Sequence, residues 1–152
     1  MINFSDVRID DMSPGGFDRG ENVDNQVHCK IMPCFIFAQA YVGSYEITCN
    51  GEHIKLNPGE AFFTPPDVYM RIVHHVDPAA KRMAARWLHF NVSILGVGIA
   101  SLYDIPLRVN AEVCERIAPD IERLRELENR DDVAAAIEVN ELGCRILRLL
   151  LT

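Results

Sequence analysis

The side chains best suited to binding a small molecule lie in the stretch MAARWLHFNV, which contains the only tryptophan of the chain. Residues of a β-strand alternate between its two faces, so Trp87 and His89 share one face of this strand. The flat indole of Trp87 could stack on a sugar ring, and His89 could hydrogen-bond a hydroxyl or a carboxylate. For both residues the alternative is ordinary packing in a protein core.

The strand that precedes it, VYMRIVHHV, places Tyr69 and Arg71 on one face. If that face is internal, Arg71 needs an anionic or hydroxylated partner, because an unpaired buried guanidinium is costly. A solvated surface arginine is the alternative. An antiparallel hairpin would bring this strand within cross-strand reach of Trp87. We therefore expect an effector site formed by Trp87, His89, Arg71 and Tyr69.

The sequence gives little indication of a metal site or of a catalytic site. His74 and His75 are adjacent and so point to opposite faces of a strand, while His28 and His53 lie in predicted turns. No serine lies in the glycine-flanked elbow of a hydrolase, and no Gly-rich phosphate loop occurs. We expect no catalytic residue, no metal and no cofactor.

Composition limits the class of protein further. The chain has 152 residues, 49% of them hydrophobic, which suits one domain with a real core. The five cysteines are scattered and form no C-x-x-C pair, so we expect reduced thiols and a cytoplasmic location. No apolar run approaches the ~18–20 residues of a membrane span, and the N-terminus has no stretch of signal-peptide type. The net charge of −7 and the lack of a basic segment argue against direct contact with DNA.

The chain divides into three regions that differ in residue composition and pattern. Residues 1–27 are polar and turn-rich and are interpreted as an N-terminal arm. Residues 28–110 carry short β-branched and aromatic runs cut by Gly, Pro, Asn and Asp, typical of an antiparallel barrel or sandwich. Within them Asn50-Gly51 predicts a type I′ hairpin, because both residues accept a positive φ. Residues 111–152 have helical periodicity and predict two helices.

Local signals mark the ends of these helices. Asn110 is the predicted N-cap of the first, and Asp131 or Asp132 that of the second, at about residues 132–152. Pro119 predicts a kink or a restart in the first helix, because it lacks an N–H and clashes with the preceding turn.

The second helix is apolar over more of its surface than one barrel face can cover. Exposed apolar surface of this kind marks interfaces, so we expect an antiparallel, two-fold symmetric homodimer through this helix. The residues assigned to the dimer contact are Leu142, Ile146, Leu149 and Leu150.

An ordered set of motifs runs through residues 28–152: Gly-x-Tyr, Asn-Gly, Leu-x-Pro-Gly, Pro-Pro, Trp-x-His-Phe and then the paired helices. This set resembles the N-terminal effector-binding and dimerisation domain of AraC/XylS-type transcription regulators. The resemblance implies a mainly β fold, a cupin-like jelly-roll barrel followed by two antiparallel helices. It also implies a small-molecule effector, with a carbohydrate as one candidate, and a Trp87 that contacts it.

The family pattern continues with a basic helix-turn-helix domain that contacts DNA. Its absence here fits the acidic charge of the chain. It also fits the final stretch CRILRLLLT, which has no residue that terminates a helix, so we expect the chain to be part of a longer protein.

Metal-binding cupins carry a histidine at the position of Phe62. They also carry a His-x-His pair early in the barrel, but this chain has no histidine between Gln39 and Glu46. Val42 replaces an arginine of sugar-binding members, so the pocket is more apolar than a monosaccharide prefers.

The sequence thus favours a ligand-sensing and dimerisation module of a bacterial AraC-type transcription regulator. Two alternatives stay open. One is a small cupin enzyme, an isomerase or a dioxygenase, which would need a metal or a buried acid–base pair. The other is a free-standing, non-catalytic cupin that only assembles with partners.

Overall fold

The computed structural model of the protein describes residues 6–151. Most of the chain up to residue 109 is β-strand, and the remainder is helical. In chain order the strands and helices are β1 (Val7–Gly20), β2 (Val27–Ile31), β3 (Phe35–Val42), β4 (Ser44–Cys49), β5 (Glu52–Lys55), β6 (Ala61–Thr64), β7 (Tyr69–His75), β8 (Arg82–Ile94), β9 (Val97–Gly98), β10 (Arg108–Val109), α1 (Ala111–Leu127) and α2 (Val133–Leu151).

The strands form two antiparallel sheets that lie face to face. Sheet A has the order β1-β8-β3-β6-β10, with β9 paired to β8, and sheet B has the order β2-β7-β4-β5. Apart from the hairpin of β4 and β5, which stays within sheet B, strands β1 to β8 alternate between the two sheets. This is the order of a jelly roll, the double-sheet architecture to which cupins belong. The predicted mainly β fold with C-terminal helices is confirmed. Within residues 6–151, however, the two sheets do not close into a hydrogen-bonded barrel.

The predicted N-terminal arm contributes a full strand to sheet A. Strand β1 pairs along its length with β8, with an irregularity between Asp10 and Ser13. Pro14 is tolerated because β1 ends the strand order of the sheet, where a missing N–H costs no ladder bond. The sheets therefore begin at Val7, well before residue 28, where the sequence placed the start of the barrel. Residues 1–5 of the arm lie outside the described residues.

Turn residues fix the connections between neighbouring strands. The long run CFIFAQAYVGSYEIT divides into β3 and β4 at Gly43, whose φ of +80° is accessible mainly to glycine. Asn50 and Gly51 have φ of 51° and 76°, which are the positive values that a type I′ hairpin between β4 and β5 needs. The predicted hairpin at Asn50-Gly51 is confirmed.

The helices begin where the capping signals predicted. Asn110 Oδ1 accepts a hydrogen bond from the Val113 N–H at 2.9 Å, and Asp132 Oδ1 accepts one from the Ala135 N–H at 3.0 Å. Helix α1 runs on through Pro119, so of the predicted kink or restart, the restart does not occur. A single proline removes one backbone bond, and the apolar face packed on sheet A holds the helix together.

The two helices pack antiparallel across their facing sides. Arg145 of α2 pairs with Asp120 of α1, whereas Arg123, further along α1, pairs with Glu138, which comes earlier in α2. Across the described part of the chain, neither helix is both long enough and apolar enough to cross a membrane.

Sheet A lies between two separate apolar cores. One core joins its outer face to the helices, and it includes Phe37 and Leu88 from the sheet and Ile117 and Leu124 from α1. The other core fills the space between the sheets. Alternate residues of β3 and β8 therefore belong to different cores. Each of these strands contacts the helices with one face and sheet B with the other.

Candidate functional site

A cavity of about 260 Å³ opens between the two sheets, within the second core. Its floor is apolar and largely buried, and the side chains that form it are Ile36, Ala38, Tyr45, Phe62, Ile72 and Trp87. Its rim is polar and more exposed, with Arg19, Gln26, His28 and Lys30. A concave apolar surface with a few polar groups at one end is the usual form of a small-molecule site.

The structure brings Trp87 and His89 together, as strand alternation predicted. Both side chains are half-buried and both line the cavity. The indole of Trp87 lies against β1, where its neighbours are the backbone of Gly15 and the ring of Phe17, 6.0 Å away between ring centroids. The predicted contact of Trp87 and His89 with an effector stays a prediction, and the cavity provides the space for it.

His74 adds a third polarisable ring to this cavity. Its Nδ1 lies 3.1 Å from the Gln26 carbonyl oxygen, which can only accept, so Nδ1 carries the proton and Nε2 is left for a ligand. Burial lowers the pKa of His74, and the neighbouring charges of His28, Arg19 and Lys30 lower it further. Near neutral pH the ring is therefore uncharged and can accept a hydrogen bond through Nε2.

Burial has the same effect on two more basic groups of the cavity lining. It lowers the pKa of His89, helped by the charge of Lys30, and it lowers the pKa of Lys30 itself. Burial also raises the pKa of the Tyr45 hydroxyl well above its usual value, so this group stays protonated and can donate. Each of these shifts arises because a partly dry site disfavours charge that has no counterion.

Tyr69 and Arg71 lie elsewhere. Tyr69 is 58% exposed, Arg71 is exposed, and both project from the outer face of sheet B, opposite Ile72 and His74. The predicted hairpin between β7 and β8 does not form, because β7 belongs to sheet B and β8 to sheet A. The expectation that these two residues join Trp87 in one site is therefore corrected, and Arg71 is a solvated surface arginine.

The residues assigned to the dimer contact also need a new interpretation. Leu142, Ile146 and Leu150 are buried in the core beneath α2, and Leu149 packs against the same core. Their apolar surface is used within the chain. The large apolar side chains that α2 leaves exposed are Val133, Ile137 and Leu151.

The outer face of sheet B carries a cluster of a different kind. Glu46 Oε2 accepts a hydrogen bond from His75 Nε2 at 2.8 Å, and Glu46 Oε1 lies 2.7 Å from His53 Nε2, within ion-pair distance. The bond from His75 is the main reason that the pKa of Glu46 lies below its usual value. Among the residues that the structure describes, no group of three or more His, Cys, Asp or Glu side chains is placed to hold a metal ion.

Sequence reasoning missed the cationic rim of the cavity. Arg19 belongs to a segment interpreted as an arm, and His28 was placed in a turn. Alternation in the short strand VHCKI would have shown that His28 and Lys30 share a face. The position of this face over Trp87 could not be predicted in the same way, because it depends on the pairing of β2 with β7, which is distant in sequence.

The strand order and the cavity between the sheets define a jelly-roll domain of the cupin type. No family model matches the chain, and no curated protein matches it. Among solved structures it is similar to KdgF from Halomonas sp., with 14% identity, 56% of this chain and 79% of that one covered, and a TM-score of 0.41. It is also similar to a cupin superfamily protein from Desulfitobacterium hafniense (14%, 59% and 77%, TM-score 0.41) and to the EutQ protein of Clostridium difficile (11%, 63% and 82%, TM-score 0.39).

Proposed function

We propose that this domain binds a small organic effector between its sheets and is the sensing and dimerisation module of an AraC-type transcription regulator. The observation that carries the proposal is the cavity, which combines an apolar floor, a half-buried tryptophan and polar groups at its rim. The sequence motifs described above supply the regulator context. In this proposal DNA is contacted by a separate helix-turn-helix domain, and the jelly-roll domain performs no catalysis.

Strand β8 offers a direct connection between the cavity and the helices. Its cavity face carries Trp87 and His89, and its other face carries Arg86, whose Nε donates to Glu122 of α1 at 3.0 Å. Arg86 also donates to Gln39 of β3 at 2.8 Å. A ligand that shifts β8 would therefore act on α1 through a salt bridge and through the packed core, which is the physical requirement for signalling to an attached domain.

Loss of the Trp87 indole is the direct test of sensing. An effector that sits on the indole excludes water from it, so we expect binding to quench or shift the emission of this single tryptophan. Trp87→Ala should weaken binding by at least ~1 kcal/mol, the lower scale of an aromatic contact beyond area burial. Calorimetry on parent and variant measures the difference. An effector that binds both equally well, and leaves the parent emission unchanged, places its site outside the cavity.

The proposed dimer uses the exposed face of α2. Ile137, Cys144 and Leu151 follow one another at intervals of seven residues, all three are exposed, and Val133 lies one turn before them. Apolar residues repeated every seven positions on one helix face form the seam of paired helices. A second copy of the chain, pairing through its own α2 about a two-fold axis, would cover this face with itself.

Ile137→Glu is expected to convert this dimer into a monomer at micromolar concentration, because two carboxylates would have to be buried at the seam. Sedimentation measures the mass. Ile31→Glu is the matched control: Ile31 is 61% exposed and Ile137 56%, but Ile31 lies on the outer side of β2. The dimer should persist in the control. A parent chain that sediments as a monomer refutes dimerisation through α2.

A further inference from the structure

The lining of the cavity contains no acidic side chain. Of its fourteen residues, five are basic: Arg19, His28, Lys30, His74 and His89. This is a marked departure from the chain as a whole, which has 22 acidic residues and a net charge of −7. The cations of a protein surface are usually mixed with carboxylates, so a concave site that collects one sign of charge focuses its field on ligands of the other sign.

Arg19 and Lys30, the two cavity cations that are not histidines, have no carboxylate counterion within residues 6–151. Among residues 6–151, eight arginines form ion pairs with carboxylates, whereas Arg19 and Lys30 form none. Arg19 rests over the ring of Phe17, 5.3 Å from its centroid, and Lys30 is half-buried. A half-buried ammonium without a partner is unfavourable, so the free protein holds a site that an anion would stabilise.

The cations and the apolar surface occupy different parts of the cavity. Arg19 and His28 are exposed and Lys30 is half-buried, which places the positive charge near the opening. Ile36, Phe62 and other buried side chains form the floor below. The volume of about 260 Å³ exceeds the roughly 150 Å³ of a cavity that holds benzene, and it leaves room for one small charged group beside such a body.

We propose that the effector is a small organic anion, a carboxylate carried on an apolar ring or short chain. The apolar body packs on the floor beside Trp87, and the carboxylate meets Lys30, Arg19 and His28 at the rim. This inference rests on the proposed function in one respect, that the cavity binds a ligand, and it replaces the carbohydrate suggested by the family resemblance. A neutral sugar would leave the cations unpaired and would bury its hydroxyls against an apolar floor.

Matched acid and amide probes test the charge of the ligand. Phenylacetate and phenylacetamide, and likewise hexanoate and hexanamide, have nearly the same shape and differ in charge. We expect the acids to bind at least about tenfold more tightly than the amides, the scale of one charge-assisted hydrogen bond. Trp87 emission and calorimetry measure binding, and D-glucose represents the sugar class.

The outcomes separate this inference from the proposed function. A cavity that binds D-glucose, or the amides as tightly as the acids, overturns the anion proposal and leaves sensing intact. If none of the five compounds binds in the cavity, the anion proposal is overturned as well. Effector binding in the cavity is overturned by a different result, an effector that binds parent and Trp87→Ala equally well and leaves the parent emission unchanged.

The variant Lys30→Gln tests whether Lys30 causes the expected preference for acids over amides. It should weaken phenylacetate binding about tenfold and leave phenylacetamide binding unchanged. Lys55→Gln is the control, because Lys55 is an exposed lysine of β5 outside the cavity lining. Arg19→Gln, at the exposed rim, repeats the test if Lys30→Gln fails to fold. Equal affinity for phenylacetate in the parent and in both cavity variants overturns the proposal.

Discussion

Phe90→Ala is expected to lower the free energy of unfolding by about 3–5 kcal/mol, the usual cost of truncating a fully buried phenylalanine. Phe90 is 2% exposed and stacks on Phe35 at 5.7 Å and on Phe63 at 6.0 Å between ring centroids. These rings belong to the core between sheet A and the helices. Alanine would remove the ring contacts and leave a void that the surrounding rigid strands cannot close.

Urea unfolding of parent and variant measures this loss. Because small domains are stable by only about 5–15 kcal/mol, the change would be a large share of the total. Tyr103→Ala is the control, since Tyr103 is 48% exposed and its loss should change stability by no more than about 0.5 kcal/mol. A loss below 1 kcal/mol at Phe90 would show that the helices do not pack on sheet A as described.

Much of this architecture could be predicted from the conformational preferences of single residues and their neighbours in sequence. Asn50-Gly51 and Gly43 set turns through their own backbone preferences, and Asn110 begins α1 through a bond three residues away. Such signals depend on neighbours in sequence and need no knowledge of the fold. Strand alternation likewise placed Trp87 and His89 on one face, and both line the cavity.

Long-range pairing lay beyond the same reasoning. Tyr69 and Arg71 share a face as predicted, but that face points outward, because β7 pairs with β2 and β4 in sheet B. Proximity in sequence suggested a hairpin with β8. In a jelly roll, consecutive strands often lie in opposite sheets, so the partners of a strand depend on the order of the whole chain.

The helical region shows the same limit. Periodicity identifies which residues of α2 share a face, but it does not reveal which face meets sheet A. Leu142, Ile146 and Leu150 are covered by the chain itself, and the exposed apolar positions are the ones at seven-residue intervals. Packing against β1, in a segment first interpreted as a polar arm, decides this orientation.

Gly15 is the position where the smallest change should most affect the cavity. It faces Trp87 directly across the β1–β8 ladder, and the indole lies over it. A Cβ added at Gly15 would stand 2.4 Å from Trp87 Nε1 and 2.5 Å from Cε2, closer than van der Waals contact allows. Relief of this contact requires the rigid ring to turn away from β1, and the free volume beside the ring is the cavity between the sheets.

Gly15→Ala should therefore push the indole into the space that an effector would occupy. We expect a changed Trp87 emission in the absence of ligand, and an affinity at least about tenfold weaker for any ligand that shifts this emission in the parent, because overpacking costs about 1–3 kcal/mol and 1.4 kcal/mol is tenfold. Gly20→Ala is the matched control in the same strand, since a Cβ there meets nothing within 4 Å. If Gly15→Ala leaves emission and affinity like those of Gly20→Ala, the indole does not form the wall of the binding site.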